Sequence, residues 1–280
     1  MNIKFTKMHG CGNDYVYIEE KNLNPCTNLS ELAKILSHRH KGIGSDGLVI
    51  ISPSASVDGK MTMYNADGSE GLMCGNAIRC VAKYLYESGV KKNPMAIETA
   101  SGIKGIELTS ENSQITKAKV NMGRPVFTPK DIPVNLPGDI VLNKELEIAG
   151  RKFLISCVSM GNPHCVIFSD EPVEFFDLHK YGPLFENHKL FPNKINTEFV
   201  NILNKNRLKM RVWERGSGET SACGTGACAI VAVGVGLGYV NKNEDVRVEL
   251  VGGELTIHYT EDCIYMTGDC VSVFEGEIIV

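Results

Sequence analysis

"MCGNAIRC" (Met73–Cys80) and "ACGTGACA" (Ala222–Ala229) are the two stretches that decide how this chain is read. Each joins a Cys-Gly pair to a small or polar residue and then to a run of helical character. The two cysteines, Cys74 and Cys223, lie 223 − 74 = 149 residues apart. The same offset separates Asn13 in "HGCGNDYVYI" from Asn162 in "SMGNPHCVIF" (162 − 13 = 149), Glu70 from Glu219 (219 − 70 = 149) and Asn65 from Glu214 (214 − 65 = 149). Four landmarks at one spacing predict an internal duplication, although the residue-by-residue likeness is weak.

Working outward from these corners, the rest of the chain reads as two similar α/β halves. "YVYIEE", "GLVIIS", "KMTMYNA", "MAIETA" and "ITKAKVNM" are strand-like in the first half. "FLISCVSM", "HCVIFS", "TEFVNIL", "RLKMRVWE", "VRVEL" and "ELTIHYT" are strand-like in the second. Several are short and alternate, as half-buried antiparallel strands do. "NLSELAKILSHRH" predicts an amphipathic helix opened by Asn28 or Ser30. The two longest helix candidates begin at the cysteine corners, Cys74 to about Ser88 and Cys223 to about Leu237, with Gly89 and Gly238 as stops. The second is apolar nearly all round and is expected to be buried inside its half. The join between halves is expected near "NMGRPVFTP", where glycine and proline punctuate the chain.

Composition narrows the class of function. The 280 residues are 43% hydrophobic and 22% charged, an ordinary globular balance with ample material for two cores. A net charge of -4 gives no electrostatic case for nucleic acid or an anionic membrane. The longest apolar stretch, Ala227–Leu237, is too short and glycine-rich to span a bilayer. No apolar signal-peptide core follows the first methionine, so a cytoplasmic location is expected. No two of the ten cysteines show Cys-x-x-Cys spacing, and no metal site is expected. A reducing compartment argues against a disulfide framework, and Cys26, Cys157, Cys263 and Cys270 read as small buried hydrophobes.

Cys74 and Cys223 call for a different reading. Each opens a helix, where free N–H groups and the helix dipole favour negative charge and lower a cysteine pKa. The same amides can cradle a carboxylate, and Gly75-Asn76 and Gly224-Thr225 leave room for a ligand to approach the backbone. Two such corners suit removal of a proton from one face of a carbon and return of a proton to the other. One thiolate serves as base and one thiol as acid. The residues alone leave other readings open: two core cysteines, a regulatory disulfide between halves, or a nucleophilic cysteine paired with His164. Around the corners, Asn65 and Glu214 end strands that enter glycine-rich loops. Arg215 could clamp a carboxylate and Glu214 an ammonium, which together would recognise an amino-acid head group; a solvated surface pair is the plainer account. The glycine-rich "KGIGSDG" before "LVII" has the wrong flanks for a nucleotide loop.

"KMHGCGNDY", "YNADGSEGLMCGNAIRC", "VSMGNPHCV", "RVWERGSGETSACGTGACA" and "MTGD" together resemble diaminopimelate epimerases, from about residue 5 to the C-terminus. The resemblance implies a cofactor-independent isomerase interconverting LL- and meso-diaminopimelate, for lysine and peptidoglycan precursors. It implies Cys74 and Cys223 as the acid/base pair. Asn13, Asn65, Asn162, Asn196, Glu214 and Arg215 would contact substrate, with the last two holding its distal head. Gly75, Asn76, Gly224 and Thr225 would bind the reacting carboxylate, and His164 and Glu214 would tune the thiols. It implies an α/β (α+β) fold of two pseudosymmetric domains, each a curled, mostly antiparallel sheet around a central helix. The final strand would return to the first domain, giving residues 1–121 plus 268–280 and 122–267, and the protein would be a homodimer. Two departures stand out: Gly47, where some family members have glutamine, and Ala77, where many have glycine. A related cofactor-independent racemase acting on another amino acid, such as histidine, is the alternative; it would not need the distal clamp.

Overall fold

The computed structural model describes residues 2–280, which divide into two compact units, Met1–Asn121 with Thr267–Val280 and Met122–Met266. The first unit is built from β1 (Asn2–Gly10), β2 (Asn13–Glu19), α1 (Leu29–Ser37), β3 (Gly47–Ser52), β4 (Gly59–Asn65), β5 (Glu70–Gly71), α2 (Gly75–Glu87), β6 (Met95–Thr99), β7 (Gly102–Glu111) and β8 (Gln114–Gly123), whose last two residues cross the boundary. The second follows with β9 (Lys144–Ile148), β10 (Arg151–Ser159), β11 (Pro163–Phe168), α3 (Leu178–Glu186), β12 (Asn196–Asn204), β13 (Arg207–Glu214), β14 (Gly218–Glu219), α4 (Gly224–Gly236), β15 (Asp245–Leu250) and β16 (Gly253–Tyr259). β17 (Ile264–Asp269) crosses the second boundary, and β18 (Val271–Ile279) lies in the first unit, antiparallel to β1.

The strand registers repeat with the sequence offset. Tyr15 faces Gly47 in the parallel pair β2·β3, and His164 faces Asn196 in the parallel pair β11·β12. Leu48 faces Tyr64 across β3·β4, and Thr197 faces Trp213 across β12·β13. All four residues of each set are related by 149 (164 − 15, 196 − 47, 197 − 48, 213 − 64). Both units also share their two parallel joints, β2·β3 with β4·β6 and β11·β12 with β13·β15; β1·β2, β3·β4, β6·β7 and β7·β8 in the first unit, and β10·β11, β12·β13 and β15·β16 in the second, are antiparallel.

Each unit wraps its strands about one helix. α2 touches β1, β2, β4, β6 and β7, and α4 touches β10, β11, β12 and β16. α4 is buried from Gly224 to Gly234 except at Thr225, as expected of a helix apolar on all sides. Gly89 and Gly238 follow the two helices at φ +114° and +74°, left-handed positions that glycine fills without strain. Asn28 caps α1 by accepting from the Glu31 amide at 3.2 Å.

Two expectations are corrected. Cys26 is exposed, in a turn whose Cys26 amide bonds Asn24, rather than buried; Cys157, Cys263 and Cys270 are buried. Helix α3 is an element the sequence reading lacks, because Gly182-Pro183 reads as a breaker. Its start is capped by Asp177, which accepts from the Lys180 amide at 3.2 Å. Gly182 is needed because a β-carbon there would lie 2.4 Å from the Trp213 ring. The helix thus lies flat on an indole, beside a cluster of Phe153, Phe176, Phe185 and Phe199.

Candidate active site

The first corner is organised by the N-terminus of α2. Cys74 is its N-cap, extended at φ −131° and ψ 121°, with Sγ 3.5 Å from the Ala77 amide. This is the place of a capping hydroxyl or carboxylate, here taken by sulfur. Cys74 Sγ also lies 3.3 Å from Asn13 Oδ1, which accepts from Asn76 Nδ2 at 3.2 Å. The Asn13 amide nitrogen donates to Asp46 Oδ2 at 2.8 Å, and Arg39 binds both Asp46 (3.0 Å) and Asp14 (2.9 Å). Asp46 therefore fixes which face of the Asn13 amide meets the sulfur. Asn65 ends β4 and donates to Ser69 at 2.9 Å. Gly47 leaves no room for a side chain, since a β-carbon there would meet Tyr64 O at 2.2 Å and the Tyr15 ring at 2.8 Å.

Beneath this corner lies Arg79, with no exposed surface. Its guanidinium donates to Gly75 O at 3.2 Å and to Asp269 O at 2.9 Å. Asp269 Oδ1 accepts in turn from the Cys11 amide at 2.8 Å. Cys11 holds a left-handed φ of +51° in the β1–β2 turn that delivers Asn13. Burial pushes the Cys11 thiol up to about 12, which keeps it protonated.

The second corner has the same backbone and different chemistry. Cys223 is the N-cap of α4, with Sγ 3.3 Å from the Gly226 amide and 3.4 Å from Thr225 Oγ1. Asn162 Nδ2 reaches Thr225 Oγ1 at 3.3 Å, and Asn162 Oδ1 meets His164 Nε2 at 3.0 Å. Glu214 accepts from Thr220 at 2.5 Å. Burial raises the Glu214 carboxyl above its ordinary range, against the hydrogen bond from Thr220 and the nearby His164. The expectation of an acidified thiol is reversed at Cys223. Burial first, then the Glu214 and Glu198 carboxylates, push it well above the ordinary thiol range, outweighing Thr225 and the helix-start amide of Gly226. At rest, this sulfur carries its proton.

Asn196 is buried, with both amide atoms on backbone: Nδ2 donates to Pro163 O at 3.0 Å and Oδ1 accepts from the Arg215 amide at 2.8 Å. Arg215 Nη1 donates to Asn193 O at 3.0 Å. The structure thus brings Asn13, Asn76 and Cys74 together in one unit, and Asn162, His164, Thr225 and Cys223 in the other. Asn196 shapes the Arg215 loop. Three residues absent from the sequence reading belong here: Asp46, Glu186 and Glu198. Glu186 receives Trp213 Nε1 at 2.8 Å, the Gly216 amide at 3.0 Å and Lys194 at 3.0 Å, so it anchors the loop on both sides of Arg215. No sequence signal marks them: Asp46 is a lone loop carboxylate, Glu186 ends a helix and Glu198 lies within a strand. Among the described residues no group of three His, Cys, Asp or Glu side chains is placed to hold a metal ion, and no helix is long and apolar enough to cross a membrane.

Solved structures share this duplicated architecture at low sequence identity. A Bacillus anthracis phenazine biosynthesis protein of the PhzF family aligns over 100% of both chains with TM-score 0.73 and 16% identity. A probable proline racemase from Agrobacterium radiobacter aligns over 99% of this chain and 93% of that one with TM-score 0.70 and 14% identity. These likenesses define the fold class, two duplicated α/β halves each wrapped on a helix. Sequence goes further. The diaminopimelate epimerase family model matches residues 5–128 and 156–273. The diaminopimelate epimerase of Acetivibrio thermocellus is 51% identical over 99% of this chain and 98% of its own length, and that of Methanococcus maripaludis is 50% identical over 99% of both. The chain belongs to the diaminopimelate epimerase family.

Proposed function

We propose that this protein interconverts LL- and meso-diaminopimelate, as an isomerase of lysine and peptidoglycan precursor synthesis, using Cys74 and Cys223 and no cofactor. The observation that carries the reading is the pair of cysteine N-caps at equivalent positions of a duplicated fold, in a chain about half identical to named diaminopimelate epimerases over nearly its full length. One cysteine, as thiolate, takes the α-proton: a C–H bond breaks and an S–H bond forms. The other, as thiol, delivers its proton to the opposite face, leaving the pair with its protonation exchanged. The helix-start amides after each cysteine, with Asn76 and Thr225, suit the charge that builds on the α-carboxylate. Glu214 and Arg215 suit the distal ammonium and carboxylate; retention of both favours diaminopimelate over histidine as substrate. The same reading has the enzyme working as a cytoplasmic homodimer.

The test is α-proton exchange by NMR in D2O with reduced protein and no pyridoxal phosphate, offering LL-diaminopimelate, histidine and lysine separately. Exchange with appearance of the meso isomer for diaminopimelate alone is expected. Exchange for another amino acid alone would keep the thiol mechanism and replace the substrate. No exchange in folded, reduced protein would refute the enzyme reading.

The Arg215 loop supplies a second prediction. Glu186→Gln keeps the shape and weakens the anchor on Trp213, Lys194 and Gly216. KM for diaminopimelate is expected to rise on the order of tenfold, with kcat changed much less, because the distal clamp binds ground and transition states alike. Steady-state kinetics check this; an unchanged KM would remove Glu186 from the clamp.

A further inference from the structure

Among the matched positions where the two halves differ chemically, three meet beneath the second corner. Where the first has Tyr15, Val49 and Ala77, the second has His164, Glu198 and Gly226 (164 − 15, 198 − 49 and 226 − 77 all equal 149). His164 and Glu198 are both fully buried, with Nδ1 2.6 Å from Glu198 Oε1. The other carboxylate oxygen is buried without a hydrogen-bond partner among the described residues. A β-carbon at Gly226 would lie 2.8 Å from Glu198 Oε1, so glycine in the first turn of α4 is what admits the carboxylate. A buried acid this close to a helix start costs solvation and calls for a role.

From that carboxylate a line of contacts leads to the sulfur: Glu198 to His164 (2.6 Å), His164 to Asn162 Oδ1 (3.0 Å), Asn162 Nδ2 to Thr225 Oγ1 (3.3 Å) and Thr225 Oγ1 to Cys223 Sγ (3.4 Å). With the Asn162 oxygen toward the ring, His164 Nε2 donates to it, and Nδ1 shares a hydrogen bond with Glu198. The Asn162 nitrogen then donates to Thr225, which leaves the hydroxyl hydrogen free to point at Cys223. We propose that Glu198 is a positioning residue. It holds the His164 ring with Nε2 toward Asn162 Oδ1, and so sets a one-way hydrogen-bond relay that ends with the Thr225 hydroxyl donating to the Cys223 sulfur and favouring its thiolate form. The role in catalysis rests on Cys223 being one of the two acid/base thiols. The other groups facing the pair are Glu214 from β13, Cys223 from α4, Cys165 from β11 and, beside it, Cys157 from β10.

The relay and simple electrostatics predict opposite signs. Glu198, as a nearby negative charge, raises the Cys223 pKa, so its removal alone would bring the thiolate in at lower pH. If the relay dominates, its removal delays the thiolate. The protein is labelled with [13C]cysteine and the Cys223 13Cβ signal is followed against pH in wild type, Glu198→Gln and the double variant Glu198→Val/Gly226→Ala. The double variant installs the apolar residues that are buried at the matched positions of the first half, Val49 and Ala77, as a second route to a folded protein without the carboxylate; circular dichroism identifies which variants fold. The expected result is a midpoint displaced to higher pH in each folded variant, with Cys74 unmoved and kcat lower by about tenfold at little change in KM. A midpoint that stays or moves to lower pH in a folded variant overturns the relay. Because the titration needs no substrate, wild-type protein that failed to epimerise diaminopimelate would refute the proposed function and leave the relay result standing.

Discussion

Replacing either Cys74 or Cys223 by alanine is expected to abolish epimerisation, with kcat lower by about 10²–10⁴-fold or more. Each variant lacks one of two proton carriers, and neither remaining thiol can serve both faces of one carbon. The loss is not expected to come from unfolding, because removing an N-cap side chain costs about 1 kcal/mol against a total of roughly 5–15. Serine separates the two effects further. Its hydroxyl can accept the Ala77 or Gly226 amide bond now made to sulfur, keeping the cap. Yet it is far too weak an acid to be a thiolate's equal as base. Serine variants should therefore melt like wild type and stay inactive. Full activity in either alanine variant would end the two-thiol mechanism.

Arg79→Met is expected to cost about 3 kcal/mol and to lower Tm by roughly 6–12 °C. Methionine keeps much of the apolar stem and removes the guanidinium. Gly75 O and Asp269 O then lose the donor that reaches them at 3.2 and 2.9 Å inside the protein. Deleting a buried charge relieves some desolvation, but the Gly75 carbonyl stays buried and the Asp269 carbonyl partly so, and that penalty dominates. The damage should also reach the site. Arg79 supports the first turn of α2, while Asp269 holds the Cys11 amide in the turn carrying Asn13. Thermal unfolding followed by circular dichroism checks the first claim and residual kcat the second. A wild-type Tm would show that the guanidinium does not pin this corner.

The duplication, both long helices and most strands were legible because each carried a periodic or punctuating signal. Cys74 and Cys223 sit at the N-caps where the corners placed them, and Gly89 and Gly238 end the helices at left-handed φ. α3 was hidden because Gly182-Pro183 imitates a break, and only the indole packed on Gly182 explains it. β18 is exposed along almost its whole length and has no buried face to generate an alternation; its return to the first unit was expected only through the family resemblance. The pKa direction at Cys223 was misread because a helix start is visible in sequence, whereas burial and two converging carboxylates are products of packing. Asp46, Glu186 and Glu198 were missed for the same reason. Each acts through a neighbour, and nothing in "GSDG", "LFEN" or "NTEF" announces it.

The return of the chain to its first unit also sets an order of assembly. β1 lies between β2 and β18, so its second edge stays unpaired until residues after Asp269 have been made. Residues 122–266, by contrast, form one continuous stretch. Domains commonly fold from the N-terminus as they leave the ribosome. Here the later-encoded unit can close first, and the earlier one waits with an open strand edge, the kind of edge that invites pairing with another chain. During synthesis, the vulnerable part of this protein is the part made first.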